Sequence, residues 1–240
     1  VKCFLSMEQP FIAYIKQIFI LLRPHQWVKN LFVFAPLFFS FNYSTEKISS
    51  AAAGFIFFCM AASSIYIFND YHDISEDRQH PEKKERPLAS GKVSRIAAVS
   101  LMIIFLALSI IGAVLLSLEY ASIVASYLVM NILYTLKLKH ISILDISIIA
   151  TGFVLRIFAG AVIIDVNPSI WIVLVTFLLA LFLALAKRRD DCLLAGDGMK
   201  TRKNIDGYTL EMINLTMIFM ATLTVVSYIM YTVSNEVITR

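Results

Sequence analysis

The sequence predicts an all-α, polytopic transmembrane helical bundle, and three observations carry that prediction. Apolar residues make up 59% of the 240 residues, above the roughly 45 to 50% of soluble domains, and mean hydropathy is +0.76. Apolar runs recur along the whole chain, several near or above the ~20 residues that cross a ~30 Å hydrocarbon core, too many for a cleaved signal. The links between runs alternate in character, short at 42–48, 117–120 and 164–169, long and charged at 70–95 and 187–208.

Taken in order, the runs give an interfacial or half-length segment near 11–22, then about seven spans, over 27–43, 49–69, 96–118, 121–136, 144–164, 169–186 and 210–233. The first full span opens on Arg23-Pro24-His25-Gln26-Trp27-Val28-Lys29-Asn30, where Trp27 suits an interfacial aromatic belt. The second ends in a dense acidic stretch from Asn69. In the fifth, Gly152 and Gly160 permit close helix packing. The sixth ends on Lys187-Arg188-Arg189-Asp190-Asp191. No internal repeat or low-complexity linker interrupts the pattern, so residues 1–240 read as a single integral-membrane domain.

The charge distribution orients this bundle. All of the 21 Lys and Arg residues except Lys47, Arg156 and Arg240 fall on one set of links or at the N-terminus. The positive-inside rule assigns that side to the cytoplasm, in the inner (plasma) membrane of a cell, with the N-terminus inside and the C-terminus outside. The net charge of +4 is therefore topological and does not point to nucleic acid. Cys3, Cys59 and Cys192 are too dispersed for a disulfide framework or a zinc site. His25, His72, His80 and His140 are equally scattered. There is no glycine-rich phosphate loop and no Ser/His/Asp pattern.

The strongest chemical signal follows the second span. If its helix continues past the membrane surface, Asn69, Asp73 and Asp77 repeat every four residues and Asp70 falls on the same ~100° arc. Four oxygen ligands on one face suit Mg²⁺, which completes its shell with water and substrate phosphates. The plainer reading is a solvated acidic helix end, but acidic residues directly at an apolar span are costly unless they serve a site. Pro81 and Pro87 should stop the helix and fold the loop back, bringing Lys83, Lys84 and Arg86 near the carboxylates. Arg binds phosphate through two parallel hydrogen bonds and Lys as a point charge, so the mixture suits a diphosphate held by metal and cations together. The alternative for each cation is topology-setting charge.

A second constellation joins the fourth and fifth spans: Tyr134, Lys137, Lys139, His140 and Asp145. From Asp145 a helical stripe runs through Ile149 and Gly152 to Arg156, which would lie ~16 Å deeper. An intramembrane arginine faces a polar cavity or a paired acid, so Asp145 and Arg156 are candidates either for substrate binding or for an ion pair holding helices together. The third cluster is Lys187, Arg188 and Arg189, followed by a polar loop to Tyr208 and Glu211. These cations could bind a substrate phosphate or lipid headgroups. Lys29 is a further candidate phosphate ligand.

These residues resemble the UbiA-type intramembrane prenyltransferase superfamily, whose hallmark Asn-Asp-x-x-Asp-x-x-x-Asp is matched by Asn69, Asp70, Asp73 and Asp77. Arg23-Pro-His-Gln-Trp-Val-Lys-Asn30, His80-Pro81 with Arg86-Pro87, Tyr134 through Lys139, Gly152-Phe-Val-Leu-Arg156 and Lys187-Arg188-Arg189 are similar to its decaprenyl-phosphate phosphoribosyltransferase branch. The resemblance implies a UbiA-like fold of nine helices, of which this chain would carry all but the last two. It implies transfer of 5-phosphoribose from phosphoribosyl diphosphate to a polyprenyl phosphate, releasing pyrophosphate, for cell-envelope polysaccharide synthesis. Asn69, Asp70, Asp73 and Asp77 would then hold Mg²⁺, and Lys83, Arg86, Tyr134, Lys137 and Lys139 would bind phosphate or ribose groups.

The family's ordinary members carry a second Asp-rich motif. Here only Asp145 stands near its place, preceded by Lys137 and Lys139, which favours the sugar-phosphate donor. The competing readings are a prenyltransferase that ionises a polyprenyl diphosphate for an aromatic or haem-like acceptor, and a lipid-phosphate transporter or non-catalytic membrane scaffold. The sequence leaves the oligomeric state open, a homo-oligomer included.

Overall fold

A computed structural model describes residues 2–196 and 207–234, with the side chains of 2–11 and 194–196 outside that description. Among the described residues every regular element is helical: α1 (Lys2–Leu22), a 3-10 segment (Pro24–Phe34), α2 (Ala35–Ser40), α3 (Thr45–His72), α4 (Ile74–Asp77), a 3-10 turn (Lys83–Glu85), α5 (Arg95–Leu116), α6 (Leu118–Leu136), a 3-10 turn (Leu138–His140), α7 (Leu144–Ile163), α8 (Ile170–Gly196) and α9 (Leu210–Thr232). The chain divides into two compact units, Val1–Leu31 with Ala52–Ile132, and Phe32–Ala51 with Leu133–Arg240.

Five helices are long and apolar enough to cross a membrane, α3, α5, α7, α8 (through Leu193) and α9. α6 also coincides with a predicted span. Its apolar character is diluted by Glu119, Tyr120, Ser122, Ser126, Tyr127, Asn131 and Tyr134. The segment expected as one span over 27–43 is instead broken: it winds as a 3-10 helix from Pro24 and becomes α-helical only at Ala35. Pro36, in the first turn of α2, has no N–H to continue an incoming ladder and restricts the residue before it. α8 runs beyond the predicted end at 186, so Lys187 through Asp191 sit on helix and not in a loop.

In the first unit, Leu21, Leu22, Ile67, Ile74, Leu88, Val93 and Ala98 form one buried cluster. The loop after α4 is thereby anchored to the helices through Leu88 and Val93. Polar side chains tie the N-terminal segments to α3. Trp27 donates to Ser63 Oγ at 3.0 Å, Ser63 donates to the Leu22 carbonyl at 2.9 Å, and buried Asn30 reaches Cys59 Sγ at 3.1 Å. Ser94 caps α5, accepting from the Ala97 N–H, which satisfies one of the donors a helix start leaves open. A Cβ at Gly112 would enter the Phe57 ring, and Ser109 donates to the Phe57 carbonyl at 2.9 Å. Those two residues let α5 approach α3 closely.

In the second unit α7 packs on α8, α8 on α9, and α2 against α7. Gly160 brings the backbone of α7 against the Val33 carbonyl, where a Cβ would not fit. Ile146, Ala184, Leu185, Tyr208 and Ile213 form its central cluster. Tyr208 thus anchors the segment before α9. Thr209 caps that helix by accepting from the Met212 N–H.

Candidate functional site

The helix predicted to run unbroken through Asp77 ends at His72, and Asp73 leaves helical geometry at φ −95°, ψ 10°. The four-residue spacing survives the break. Asp73 N donates to the Asn69 carbonyl at 2.9 Å and Asp77 N to the Asp73 carbonyl at 2.8 Å. The pitch is therefore held across the junction, and the Asp70 and Asp77 carboxylates emerge on one side, 2% and 4% exposed. Asp73 is half-buried and contacts His72 Nδ1 at 3.2 Å. Asn69 is half-buried.

Burying two carboxylates is unfavourable unless each is paired, and the fold supplies arginines. Arg86 Nη1 donates to Asp70 Oδ1 at 3.0 Å and to Asp77 Oδ2 at 2.7 Å. Arg23 donates to the same Asp70 oxygen. Arg86 arrives there because the loop after α4 turns back: Lys83–Glu85 forms a 3-10 turn, Arg86 N bonds the Lys83 carbonyl, and Val93 N bonds the Pro87 carbonyl. Arg78 closes the base of the loop by donating to the Ala89 carbonyl at 2.9 Å. Burial pushes the Asp77 carboxyl above its usual range, opposed by the charges of Arg86 and Lys83 and reinforced by Asp70. Lys83 is half-buried and Lys84 exposed. Among the described residues no group of three His, Cys, Asp or Glu side chains is arranged as a metal site. The donor set is nevertheless all oxygen, with two carboxylates close enough to share one guanidinium nitrogen, which is the chemistry a hard divalent cation uses.

Arg23 was not singled out as a site residue from the sequence. Its signal was faint, an arginine before a proline at a helix end. Its φ of 53° is an uncommon conformation for a non-glycine residue, and it marks the sharp turn that directs this side chain toward Asp70. Lys29, a candidate phosphate ligand, lies exposed on the 3-10 segment next to buried Asn30.

The second unit holds a different cluster. Asp145, at the start of α7, is fully buried, and both its oxygens are engaged. Arg188 Nε donates to Oδ2 at 2.7 Å and Tyr208 Oη donates to Oδ1 at 2.6 Å. Arg188 also donates to Asp191 at 2.9 Å, and Tyr134 lies within electrostatic reach of it. Asp145 and Arg156 do share α7, as the stripe predicted, but the guanidinium on Asp145 comes from α8. Buried Arg156 instead donates to the Gly152 carbonyl at 2.6 Å and stacks over Phe153, 5.4 Å from its ring centroid. Lys137 follows the end of α6 and is exposed, Lys139 is half-buried in the 3-10 turn after it, and Lys187 is exposed. Arg189 donates to Asn214 at 2.8 Å. Lys200, Arg202 and Lys203, counted among the orienting charges, lie outside the described residues.

These helices, with buried carboxylates held by arginines and lysine-bearing turns at their ends, define an integral, multi-pass membrane protein of the intramembrane transferase class. The chain belongs to the UbiA prenyltransferase family, whose model matches residues 31–238. It is 36% identical over 221 residues to a decaprenyl-phosphate phosphoribosyltransferase of Mycolicibacterium smegmatis, covering 89% of this chain and 69% of that one. It is 35% identical over 217 residues to the Corynebacterium glutamicum protein of the same name, covering 88% of this chain. The chain thus spans only 65% of the length of the second relative. Among solved structures, a UbiA homologue from Archaeoglobus fulgidus bound to GPP and Mg²⁺ superposes with TM-score 0.73 at 22% identity, over 91% of this chain and 79% of that one. That likeness establishes the shared fold.

Proposed function

We propose that the chain transfers 5-phosphoribose from phosphoribosyl diphosphate to a polyprenyl phosphate of the decaprenyl-phosphate kind, releasing pyrophosphate. It acts as a pentosyl-transferring enzyme at the cytoplasmic face of the plasma membrane, in the synthesis of a cell-envelope polysaccharide. The observation that carries this reading is the pairing of buried Asp70 and Asp77 through Arg86, in a chain 36% identical to a protein named for that reaction.

Asn69, Asp70, Asp73 and Asp77 would hold Mg²⁺, which when bound supplies neutralising charge to a departing pyrophosphate. Arg86 and Lys83 bind diphosphate oxygens, the first as a two-pronged donor and the second as a point charge. Tyr134, Lys137 and Lys139 bind phosphate or ribose oxygens, and Lys29 and Lys187 are exposed cations able to contact a phosphate or a lipid headgroup. The C1–O bond to pyrophosphate breaks, its electron pair leaves with pyrophosphate, and an oxygen of the lipid phosphate forms the new bond to C1. The acceptor is already an anion, so neither a protein nucleophile nor a general base is needed. Cations fixed around the leaving group stabilise charge where it develops.

No observation favours a prenyl diphosphate donor, because the likeness to the archaeal structure is one of fold and the mycobacterial and corynebacterial relatives at 36% and 35% identity bear the phosphoribosyl name. The test is pyrophosphate release by the purified chain. Release should require phosphoribosyl diphosphate, polyprenyl phosphate and Mg²⁺ together, and fall at least about 100-fold in Asp70→Asn, as when one charge-stabilising group is removed. Release that survives in Asp70→Asn would overturn the assignment of the site.

A further inference from the structure

We propose that Tyr208 is a positioning residue, whose hydroxyl fixes the turn carrying Lys137, Lys139 and His140 as a preformed phosphate-binding loop. The inference rests on the phosphoribosyl reading for the identity of the phosphate, and on geometry for the rest. The turn after α6 has no side-chain cap where it enters α7, and Ile143 stands there at φ 70°. A β-branched residue in that region is strained and persists only where its surroundings hold it. The holding contact is a hydrogen bond from the Ile143 N–H to Tyr208 Oη at 2.6 Å.

Tyr208 can accept there because its own proton is committed elsewhere. It donates to Asp145 Oδ1 at 2.6 Å, while Arg188 secures the other oxygen of Asp145 at 2.7 Å. Tyr208 is 6% exposed, Asp145 0% and Arg188 2%, so water does not compete for these bonds. One carboxylate thereby ties together three pieces of chain: the start of α7, the end of α8, and the segment before α9. Gly207 adds a second contact of the same kind. A Cβ there would collide with Ser142 in the turn, so its absence lets the two segments close on each other. His140 N bonds the Lys137 carbonyl at 3.2 Å and Ile141 N the Leu138 carbonyl at 3.1 Å, which carries the constraint at Ile143 back to both lysines. A loop ordered before its ligand arrives loses less freedom on binding.

The experiment uses the full chain in detergent or nanodiscs, as wild type, Tyr208→Phe and Gly207→Ala. Hydrogen exchange of the peptide 137–143 is measured, together with KM and kcat for phosphoribosyl diphosphate and the affinity for Mg²⁺-pyrophosphate. Losing a hydrogen bond that leans on a charged group should speed exchange of the peptide and raise both KM and the pyrophosphate dissociation constant about tenfold. kcat per folded molecule should stay within about twofold. Unchanged exchange in Tyr208→Phe overturns the clamp, and faster exchange with unchanged pyrophosphate affinity overturns its role in binding. Loss of kcat that tracks the folded fraction at constant KM would make Tyr208 a stability residue alone. If no variant, wild type included, transfers phosphoribose, the functional reading fails while exchange and pyrophosphate affinity still decide the clamp.

Discussion

Asp70 and Asp77 share a single guanidinium nitrogen of Arg86, at 3.0 and 2.7 Å, although a break in the helix separates them. The two carboxylates are buried and lie close together, and the cations on them, Arg86 between the two and Arg23 on Asp70, make that proximity tolerable.

Replacing Arg86 with Ala should therefore destabilise the fold by on the order of 3 kcal/mol, the scale for removing one partner of a buried pair. Arg86→Lys should recover only part of this, because an ammonium cannot reproduce the planar donor geometry. Thermal unfolding in detergent reads both variants. Adding Mg²⁺ should narrow the gap between Arg86→Ala and wild type, and equal sensitivity of the two proteins to Mg²⁺ would count against a cation site at these carboxylates.

Asp145 and Arg188 allow a cleaner separation of charge from packing. Arg188→Met leaves a fully buried carboxylate without its guanidinium and should cost about 3 to 5 kcal/mol. Asp145→Leu with Arg188→Met removes both charges and should recover most of that loss. A double variant as unstable as the single one would show that the pair organises more than its own charges.

Gly160 on α7 should not tolerate a methyl group. In an open helix, Gly→Ala is favourable by roughly 1 kcal/mol. Here the added Cβ would meet the Val33 carbonyl, so Gly160→Ala should be destabilising, by about 1 to 3 kcal/mol as for an overpacked core. A stabilised variant would mean that the backbones are not in contact.

His80 should impose a pH dependence. Its Nδ1 accepts from the backbone N–H groups of Glu82 and Lys83 at 3.2 and 3.4 Å, which requires the neutral ring. Burial, followed by the charge of Lys83, holds the imidazole below its usual range. The unfolded chain then binds the proton more readily, so this contribution is present above about pH 6.5 and is lost as pH falls through the lower folded value. Unfolding midpoints measured from pH 8 to pH 5 should fall more in wild type than in His80→Asn, and parallel curves would sink the idea.

The membrane class, the helix ends near 136, 144 and 210, and the acidic stretch from Asn69 were legible because they depend on local pattern: apolar runs, charge at their ends, and four-residue spacing. The return of Arg86 to the carboxylates was also readable, since Pro81 and Pro87 leave the loop little choice. Arg23, Arg188 and Tyr208 were legible only as residue types. Their partners Asp70 and Asp145 lie 47, 43 and 63 positions away in sequence, and only tertiary packing selects such pairs. The 3-10 winding of Pro24–Phe34 was hidden for a related reason, because its apolar composition equals that of a span and periodicity reports burial more than hydrogen-bond register.

The central claim is tested most directly by the fate of the sugar. Membranes containing the chain are incubated with polyprenyl phosphate, Mg²⁺ and phosphoribosyl diphosphate labelled in the ribose, beside a parallel reaction with labelled polyprenyl diphosphate and an aromatic acceptor. The account predicts ribose label in the lipid phase, lost in Asp73→Ala and absent without polyprenyl phosphate. Label transferred only from the polyprenyl diphosphate, by protein shown to be folded, would contradict it.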